Sequence, residues 1–127
     1  MLKNTRKKVQ KMIQQIDKYY KGNVIVAHNA IDATATSTEI GIAGYSAVLV
    51  SIIINGVGTW KIDIQGRLNV NGTIADIYDN NDVQLTTGNI TASRMKLFVA
   101  VPELIKIVAT EVVNGATCTV TVQPLNL

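Results

Sequence analysis

The clearest alternation of apolar and polar positions in the chain lies between Gly58 and Gly66, in the segment GTWKIDIQG. Trp60, Ile62 and Ile64 fall on one side of an extended chain there, and the polar residues between them fall on the other. A two-residue period of this kind is typical of a strand that buries one face and exposes the other. We therefore expect a central strand on which the only tryptophan of the chain anchors the core.

The segments around this strand predict two hairpins. Residues 46–55 are almost continuously apolar, as is typical of a central strand that is buried on both faces. A glycine-containing turn separates them from the strand at 58–66, and Asn114-Gly115 separates 104–113 from 117–122. Because short glycine-containing turns favour antiparallel hairpins, we expect the two strands of each pair to lie side by side.

Shorter segments add further strands. In the segment at 73–78 the alternation predicts that Ile74 and Tyr78 point inward. About eight short strands with turn signals between them indicate a mainly β fold, an antiparallel β-sandwich of the jelly-roll or immunoglobulin-like kind. The remaining predicted strands are 23–28, 33–40, 83–87 and 93–101.

Residues 3–21 have a different pattern, which predicts an α-helix. They contain no glycine or proline, and Gly22-Asn23 supplies a stop signal. We therefore divide the chain into a basic amphipathic N-terminal helix, residues 1–22, and a β-sandwich domain, residues 23–127. The apolar residues of the helix recur at spacings of seven, four, three and four, like the seam of a short coiled coil. The residues of this apolar stripe are Leu2, Val9, Ile13, Ile16 and Tyr20.

Three interpretations of this helix remain open from the sequence. The stripe can pack on the sandwich of its own or a neighbouring subunit, or it can form a short self-associating bundle, for which a trimer is favoured. Alternatively, the basic residues can contact nucleic acid, a membrane surface or an acidic protein surface. Two heptads are marginal in isolation, so self-association would need support from the domain behind the helix.

The distribution of charge favours a role in assembly. The net charge is +3, but residues 1–21 hold seven of the twelve basic residues against one acidic residue, and the rest of the chain is net negative. Charged residues make up only 17% of the chain, which suits a subunit that packs in an assembly. The longest apolar run, 47–54, is too short to cross a bilayer, so we expect no membrane partner, and we do not favour nucleic acid. The basic attachment face that we predict consists of Lys3, Arg6, Lys7, Lys8 and Lys11.

Candidate chemistry is scarce. Cys118 is the only cysteine, which excludes an intramolecular disulfide, and its alternation with neighbouring valines predicts an inert, buried thiol. His28 is the only histidine, and we expect it at a turn or on the surface rather than on a metal. Asp79, Asn81 and Asp82 offer hard oxygens, but the glycine and glutamate of a calcium loop are missing, so we interpret them as turn formers. We predict no enzyme, no catalytic or metal-binding residue and no cofactor.

From residue 45 onward the chain resembles small β-sandwich virion structural proteins of tailed bacteriophages. The resemblance rests on GTWKIDIQG at 58–66, DIYDNND at 76–82, LTTGNITAS at 85–93 and VTVQPL at 120–125. It implies a protein of the head-decoration or head-fibre type, which commonly sits on a capsid as a trimer. It further implies a protein made in the host cytoplasm, located in the virion and partnered by the major capsid protein or other virion proteins.

The alternative function is a carbohydrate- or receptor-binding β-sandwich module on a phage tail. In that case the loop at 79–82 and the adjacent Tyr78 are the candidate binding residues. A Tyr78 side chain exposed beside a groove would favour this alternative, and a buried Tyr78 would count against it.

Overall fold

The computed structural model describes residues 22–99 and 101–127, and within these residues the chain forms ten β-strands and no helix. The helix predicted over residues 3–21 lies outside the described residues. The strands are β1 (Ile25–Ile31), β2 (Ala35–Thr36), β3 (Ile40–Gly41), β4 (Ala47–Gly56), β5 (Thr59–Arg67), β6 (Ala75–Asp76), β7 (Thr86–Ile90), β8 (Arg94–Val99), β9 (Leu104–Val113) and β10 (Ala116–Leu125).

The ten strands form two antiparallel sheets. Sheet A has four strands in the order β1-β10-β4-β8. Sheet B has six strands: β9 and β5 lie side by side at its centre, β2 and β3 pair with the free side of β9, and β6 and β7 pair with the free side of β5. The inner faces of the two sheets enclose one aliphatic core, so the predicted mainly β sandwich is confirmed.

The alternation along β5 and β10 places their apolar residues in this core. Trp60, Ile62 and Ile64 are fully buried, as the sequence pattern predicts. Cys118 is also fully buried, on the inward side of β10 together with Val120. The two strands therefore contribute a row of inward side chains from each sheet, and the thiol is part of the core packing.

Both predicted hairpins are wrong. β4 pairs with β10 and β8 in sheet A, while β5 pairs with β9 in sheet B. The turns after β4 and after β9 carry the chain across to the opposite sheet, and they lie against each other. A Cβ atom on Gly56, whose φ is 107°, would be 2.5 Å from the carbonyl oxygen of Gly115. A local turn signal predicts a reversal of the chain, but it does not say which sheet the returning strand joins.

The prediction that residues 46–55 are buried on both faces is wrong as well. β4 is a central strand, and its inward side chains Val48, Val50 and Ile52 are fully buried. On its other side Ile53 is 44% exposed, and Leu49 is half-buried. The continuous apolar run therefore covers the core face and an outward side that is buried at Ala47, partly buried at Leu49 and exposed at Ile53.

His28 also differs from the expectation of a turn or surface residue. It lies in β1 of sheet A and is buried, and its Nε2 donates to the backbone carbonyl of Ile107 in sheet B over 2.9 Å. The same carbonyl accepts from the backbone N–H of Ser37 over 2.9 Å. The imidazole therefore joins the two sheets, because a buried polar group must find a partner and the other sheet supplies one.

Candidate functional site

A cleft of about 500 Å³ lies at the end of sheet B where β5 finishes. Its walls come from the end of β5, from the segment 68–78 and from Val101-Pro102. Most of the surface is apolar, and Arg67, Thr73, Asp76 and Tyr78 supply polar groups. Pockets of this size with a few polar groups on an apolar wall are typical small-ligand sites.

Tyr78 does not point inward as predicted, because its side chain is 55% exposed and lines this cleft. The predicted strand at 73–78 is reduced to the two residues of β6, and Tyr78 forms only an isolated bridge with Gln84. Ile77 takes the inward position instead and packs against the core. The alternation is thus shifted by one residue, and the aromatic ring becomes part of the surface.

One guanidinium holds the wall of the cleft in place. Arg67 Nε and Nη2 donate to the two carboxylate oxygens of Glu39 over 2.7 and 2.6 Å. Its Nη1 donates to the backbone carbonyls of Val70 and Gly72 over 2.7 and 3.4 Å. The hydrogen bond from Arg67 holds the pKa of Glu39 below its usual value, and the same bond raises the pKa of Arg67. This two-point pairing fixes the loop after β5 against the strand-poor segment that carries Glu39.

The acidic loop at 79–82 is a closed turn. Asp79 Oδ1 accepts from the backbone N–H groups of Asn81 and Val83 over 2.8 and 3.0 Å. The N–H of Asp79 in turn donates to the carbonyl of Val83 over 2.8 Å. Within residues 22–99 and 101–127 no three His, Cys, Asp or Glu side chains group together as a metal site would require. The interpretation of these residues as turn formers accounts for all of these bonds.

The arrangement offers little for catalysis. Asp76 is the only carboxylate that lines the cleft, and its Oδ1 accepts from Gln65 Nε2 over 2.9 Å. Burial raises the pKa of the Cys118 thiol to about 11, so almost none of it is thiolate near neutral pH. The described residues of the cleft include no paired acid and base.

A second feature is the outward side of sheet A, which we call the outer face. It is formed by outward side chains from the middle of sheet A and by the residue before β1, and none of them is charged. The large apolar members are mostly exposed, from 44% for Ile53 to 62% for Met95. Contiguous exposed apolar surface of this kind marks a contact site. The outer face consists of Val24, Val26, Leu49, Ser51, Ile53, Met95, Leu97, Val99, Thr119, Thr121 and Gln123.

The interface residues predicted from the sequence lie outside the described part of the chain. This applies to the apolar stripe, Leu2, Val9, Ile13, Ile16 and Tyr20, and to the basic face, Lys3, Arg6, Lys7, Lys8 and Lys11. The outer face and the cleft were both missed by sequence reasoning. The sequence does contain a signal for the outer face, because β8 and β4 carry apolar residues at both the inward and the outward positions of the two-residue alternation. Among the described residues, no helix is long and apolar enough to span a membrane.

Comparisons with known proteins give structural neighbours only, since no protein-family model and no curated protein matches the sequence. The SPBc2 prophage-derived protein YomS superimposes with a TM-score of 0.58 at 17% identity, over 82% of this chain and 92% of YomS. The PBSX exported protein XepA superimposes with a TM-score of 0.58 at 15% identity, over 82% of this chain and 37% of XepA. The chain thus spans well under half of XepA.

These matches define the class of fold. The chain has the β-sandwich fold that is also found in a prophage-derived protein, which confirms the resemblance at the level of architecture. The CBM22-1–GH10 modules of a Clostridium thermocellum xylanase also match, with a TM-score of 0.47 at 13% identity over 80% of this chain and 21% of that one. That likeness is too low to carry an argument about this chain.

Proposed function

We propose that this chain is a non-enzymatic structural protein of a phage virion that works as a homo-oligomer, with a trimer favoured. The observation that carries the proposal is the outer face of sheet A. A large exposed face without a charged side chain is uncommon on a soluble monomer, because apolar surface is stabilised by being removed from water. A copy of the chain in an assembly would bury that face.

The form of the sandwich supports a structural role. We infer that it is a jelly roll rather than an immunoglobulin-like sandwich. β1 pairs with β10, β2 and β3 with β9, β4 with β8, and β5 with β7, as in a long hairpin that has been rolled up. Jelly rolls recur in viral capsid proteins and in lectins, and the likeness to YomS agrees with a phage origin. Fold alone does not fix function, so the proposal depends on the surface.

Residues 1–22 are the assembly or attachment element in this proposal. The apolar stripe serves the contact between copies, and Lys3, Arg6, Lys7, Lys8 and Lys11 serve attachment to an acidic surface. The partner is the major capsid protein or another virion protein, on the capsid as a decoration or in a fibre. Several linked copies would bind a repeating surface tightly although each single contact is weak.

Light scattering of the chain with residues 1–127 tests the oligomer. We expect a mass of several chains for the parent, with three favoured, and a shift toward the monomer for Ile13→Asp, which places a charge in the apolar stripe. Gln15→Asp is the matched control, because the same side chain lies on the opposite side of the predicted helix. A monomeric parent at every concentration would refute the proposal. If Ile13→Asp remained oligomeric, the apolar stripe would not be part of the interface between copies.

The exposed Tyr78 beside the cleft favours a second candidate, a carbohydrate- or receptor-binding module on a phage tail. A tyrosine ring that lines the cleft can stack on the apolar face of a sugar, while Asp76 can accept hydrogen bonds from its hydroxyl groups and Thr73 can accept or donate them. A panel of neutral oligosaccharides tests this with the parent, Tyr78→Ala and the remote surface variant Val57→Ala. Binding that Tyr78→Ala abolishes and Val57→Ala retains would support it, and binding by none would exclude it for these sugars.

A further inference from the structure

We infer that the outer face of sheet A binds residues 1–21 of a second copy of this chain, and that the apolar stripe packs against the sheet. The inference rests on the proposed function, because it takes the oligomer as given and names the two surfaces that form it. In this arrangement the apolar stripe of one copy packs on the sheet of another copy, and the stripes of several copies do not pack together in a helical bundle.

The dimensions of the two surfaces agree. β4 and β10 each have ten residues, which at the usual rise is about 33 Å of strand. A helix over residues 3–21 would be about 28 Å long. A shallow groove of about 90 Å³ already runs between Val24, Leu49, Met95 and Gln123 on the outer face. The helix therefore fits along the sheet and within its length.

The chemistry of the two surfaces also agrees. On a helix the five side chains of the stripe fall within an arc of about 60°, while Lys7, Lys11 and Lys18 fall on the opposite side. Arg6 is the one polar position of the seam, about 20° beyond the edge of the stripe, and its long side chain can lie along the sheet with the guanidinium in water. The outer face offers apolar side chains with hydroxyl and amide groups between them, and no carboxylate. Nothing in it would attract the basic side of the helix. The stripe would therefore face the sheet, and the lysines would face outward, where an acidic partner can reach them.

The point where the chain enters the sandwich is fixed by contacts of Gly22. The N–H of Gly22 donates to the carbonyl of Pro124 over 2.8 Å, and its carbonyl accepts from Gln123 Nε2 over 3.2 Å. A Cβ on Gly22 would lie 3.1 Å from both Pro124 and Tyr45, so the backbone is closely packed there.

Residues 22–24 connect the predicted helix to β1, and Gly22 is held beside the end of β10. A connection of this length is usual between a helix and a strand. A stripe that covered its own outer face would leave neither surface free to join copies. Because the proposed function takes the oligomer as given, the stripe packs on the face of a neighbour. One stripe and one face per copy then form a head-to-tail contact, which can close into a ring such as a trimer.

Cross-linking between differently tagged copies tests the contact. One copy carries Ile13→Cys and the other Leu97→Cys, both are produced in the same cells, and a bismaleimide links the purified oligomer. The native Cys118 does not compete, because it is fully buried and burial raises its pKa to about 11. We expect a two-chain product that bears both tags. Replacing Ile13→Cys by Gln15→Cys, on the opposite side of the predicted helix, should lower the yield at least about fivefold.

A second measurement does not depend on cysteine placement. Leu97→Lys puts a charge into the outer face and should convert the oligomer to monomer, whereas Val57→Lys, at a 91% exposed position away from that face, should leave it intact. Circular dichroism checks that both variants remain folded.

The outcomes separate the inference from the proposed function. A monomeric parent would overturn both the proposed function and the inferred contact between copies. An oligomer that survives Leu97→Lys and gives no product with both tags overturns the inference alone. A link formed within one chain that carries both cysteines, without products between chains, also overturns it, because the occupant is then the chain's own segment.

Discussion

Trp60 in sheet B donates a hydrogen bond from Nε1 to the backbone carbonyl of Ala116 in sheet A over 3.2 Å. The bond lies beside the two turns that cross between the sheets, since β5 begins at Thr59 and β10 begins at Ala116. A fully buried indole thus satisfies its one polar group by binding the opposite layer. The largest core side chain and the crossing point of the chain therefore stabilise each other.

Trp60→Phe should destabilise the fold. The change removes core volume and leaves the Ala116 carbonyl without its indole donor, and together these should lower the free energy of unfolding by about 2–3 kcal/mol. Urea unfolding followed by circular dichroism measures this, because the only tryptophan is lost. Phe98→Leu, a buried aromatic change without a polar group, is the control. A loss below about 0.5 kcal/mol in Trp60→Phe would show that the hydrogen bond and the packing contribute little.

Alanine substitution should distinguish the crossing turns from the irregular part of β7, where Gly88 lies. Gly56 and Gly88 both have positive φ, 107° and 64°, so alanine is strained at either position. Only at Gly56 would the new Cβ also collide with the Gly115 carbonyl, at 2.5 Å, whereas nothing lies within 4 Å of it at Gly88. We expect Gly88→Ala to cost about 1 kcal/mol and Gly56→Ala more than about 3 kcal/mol in urea unfolding. Equal costs would contradict close packing of the two turns.

The sequence predicted most strands but not their partners. The inward positions of Trp60, Ile62 and Ile64 follow from a clean period of two, and β9 matches its predicted bounds of 104–113. The pairing of β4 with β10 joins residues that are 60 to 78 positions apart, and only packing of the two sheets decides it. A turn signal is local, so it cannot distinguish a hairpin from a crossing between sheets.

The candidate site was harder to predict for a similar reason. Tyr78 appeared inward because the pattern was extended through a segment that keeps only two residues of strand, β6. The cleft depends on Arg67 meeting Glu39, 28 positions earlier, and no spacing rule in the sequence indicates such a pair. The apolar stripe of residues 1–21 could be read from the sequence, and its role stays a prediction.

Arg67→Lys should loosen the wall of the cleft without unfolding the domain. Lysine keeps the charge but cannot bind both Glu39 oxygens and the Val70 carbonyl together. We expect the amide protection factors of residues 68–72 to fall several-fold by NMR, while those in β9 stay unchanged. Glu39→Gln, which keeps the shape and removes the charge, should loosen the same loop. Unchanged protection in both variants would show that the pair does not hold the wall.

The same pair predicts a pH dependence. Because the hydrogen bond from Arg67 lowers the pKa of Glu39 in the folded state, the pair stabilises the loop above the ordinary carboxyl pKa. That stabilisation should be lost as the pH falls through the lowered pKa. Protection factors of residues 68–72 recorded from about pH 6 to about pH 3 should show the loss in the parent and not in Glu39→Gln. An identical acid response in both proteins would assign the loss to other carboxylates.

Cys118 should react with a thiol reagent only when the sandwich opens. Burial raises its pKa to about 11, so the thiol stays protonated in the folded state near neutral pH. Protonation of the buried thiol stabilises the folded state. This contribution is complete below the ordinary thiol pKa of 9.0 and is lost as the pH rises toward about 11. At about pH 8 we expect labelling at least about 100-fold slower than at an added Val57→Cys, which is exposed. Adding Gly56→Ala should speed labelling of Cys118 and leave Val57→Cys unaffected, because only the buried thiol depends on opening. Rapid labelling of Cys118 in the stable parent would mean that β10 leaves the core far more often than its packing implies.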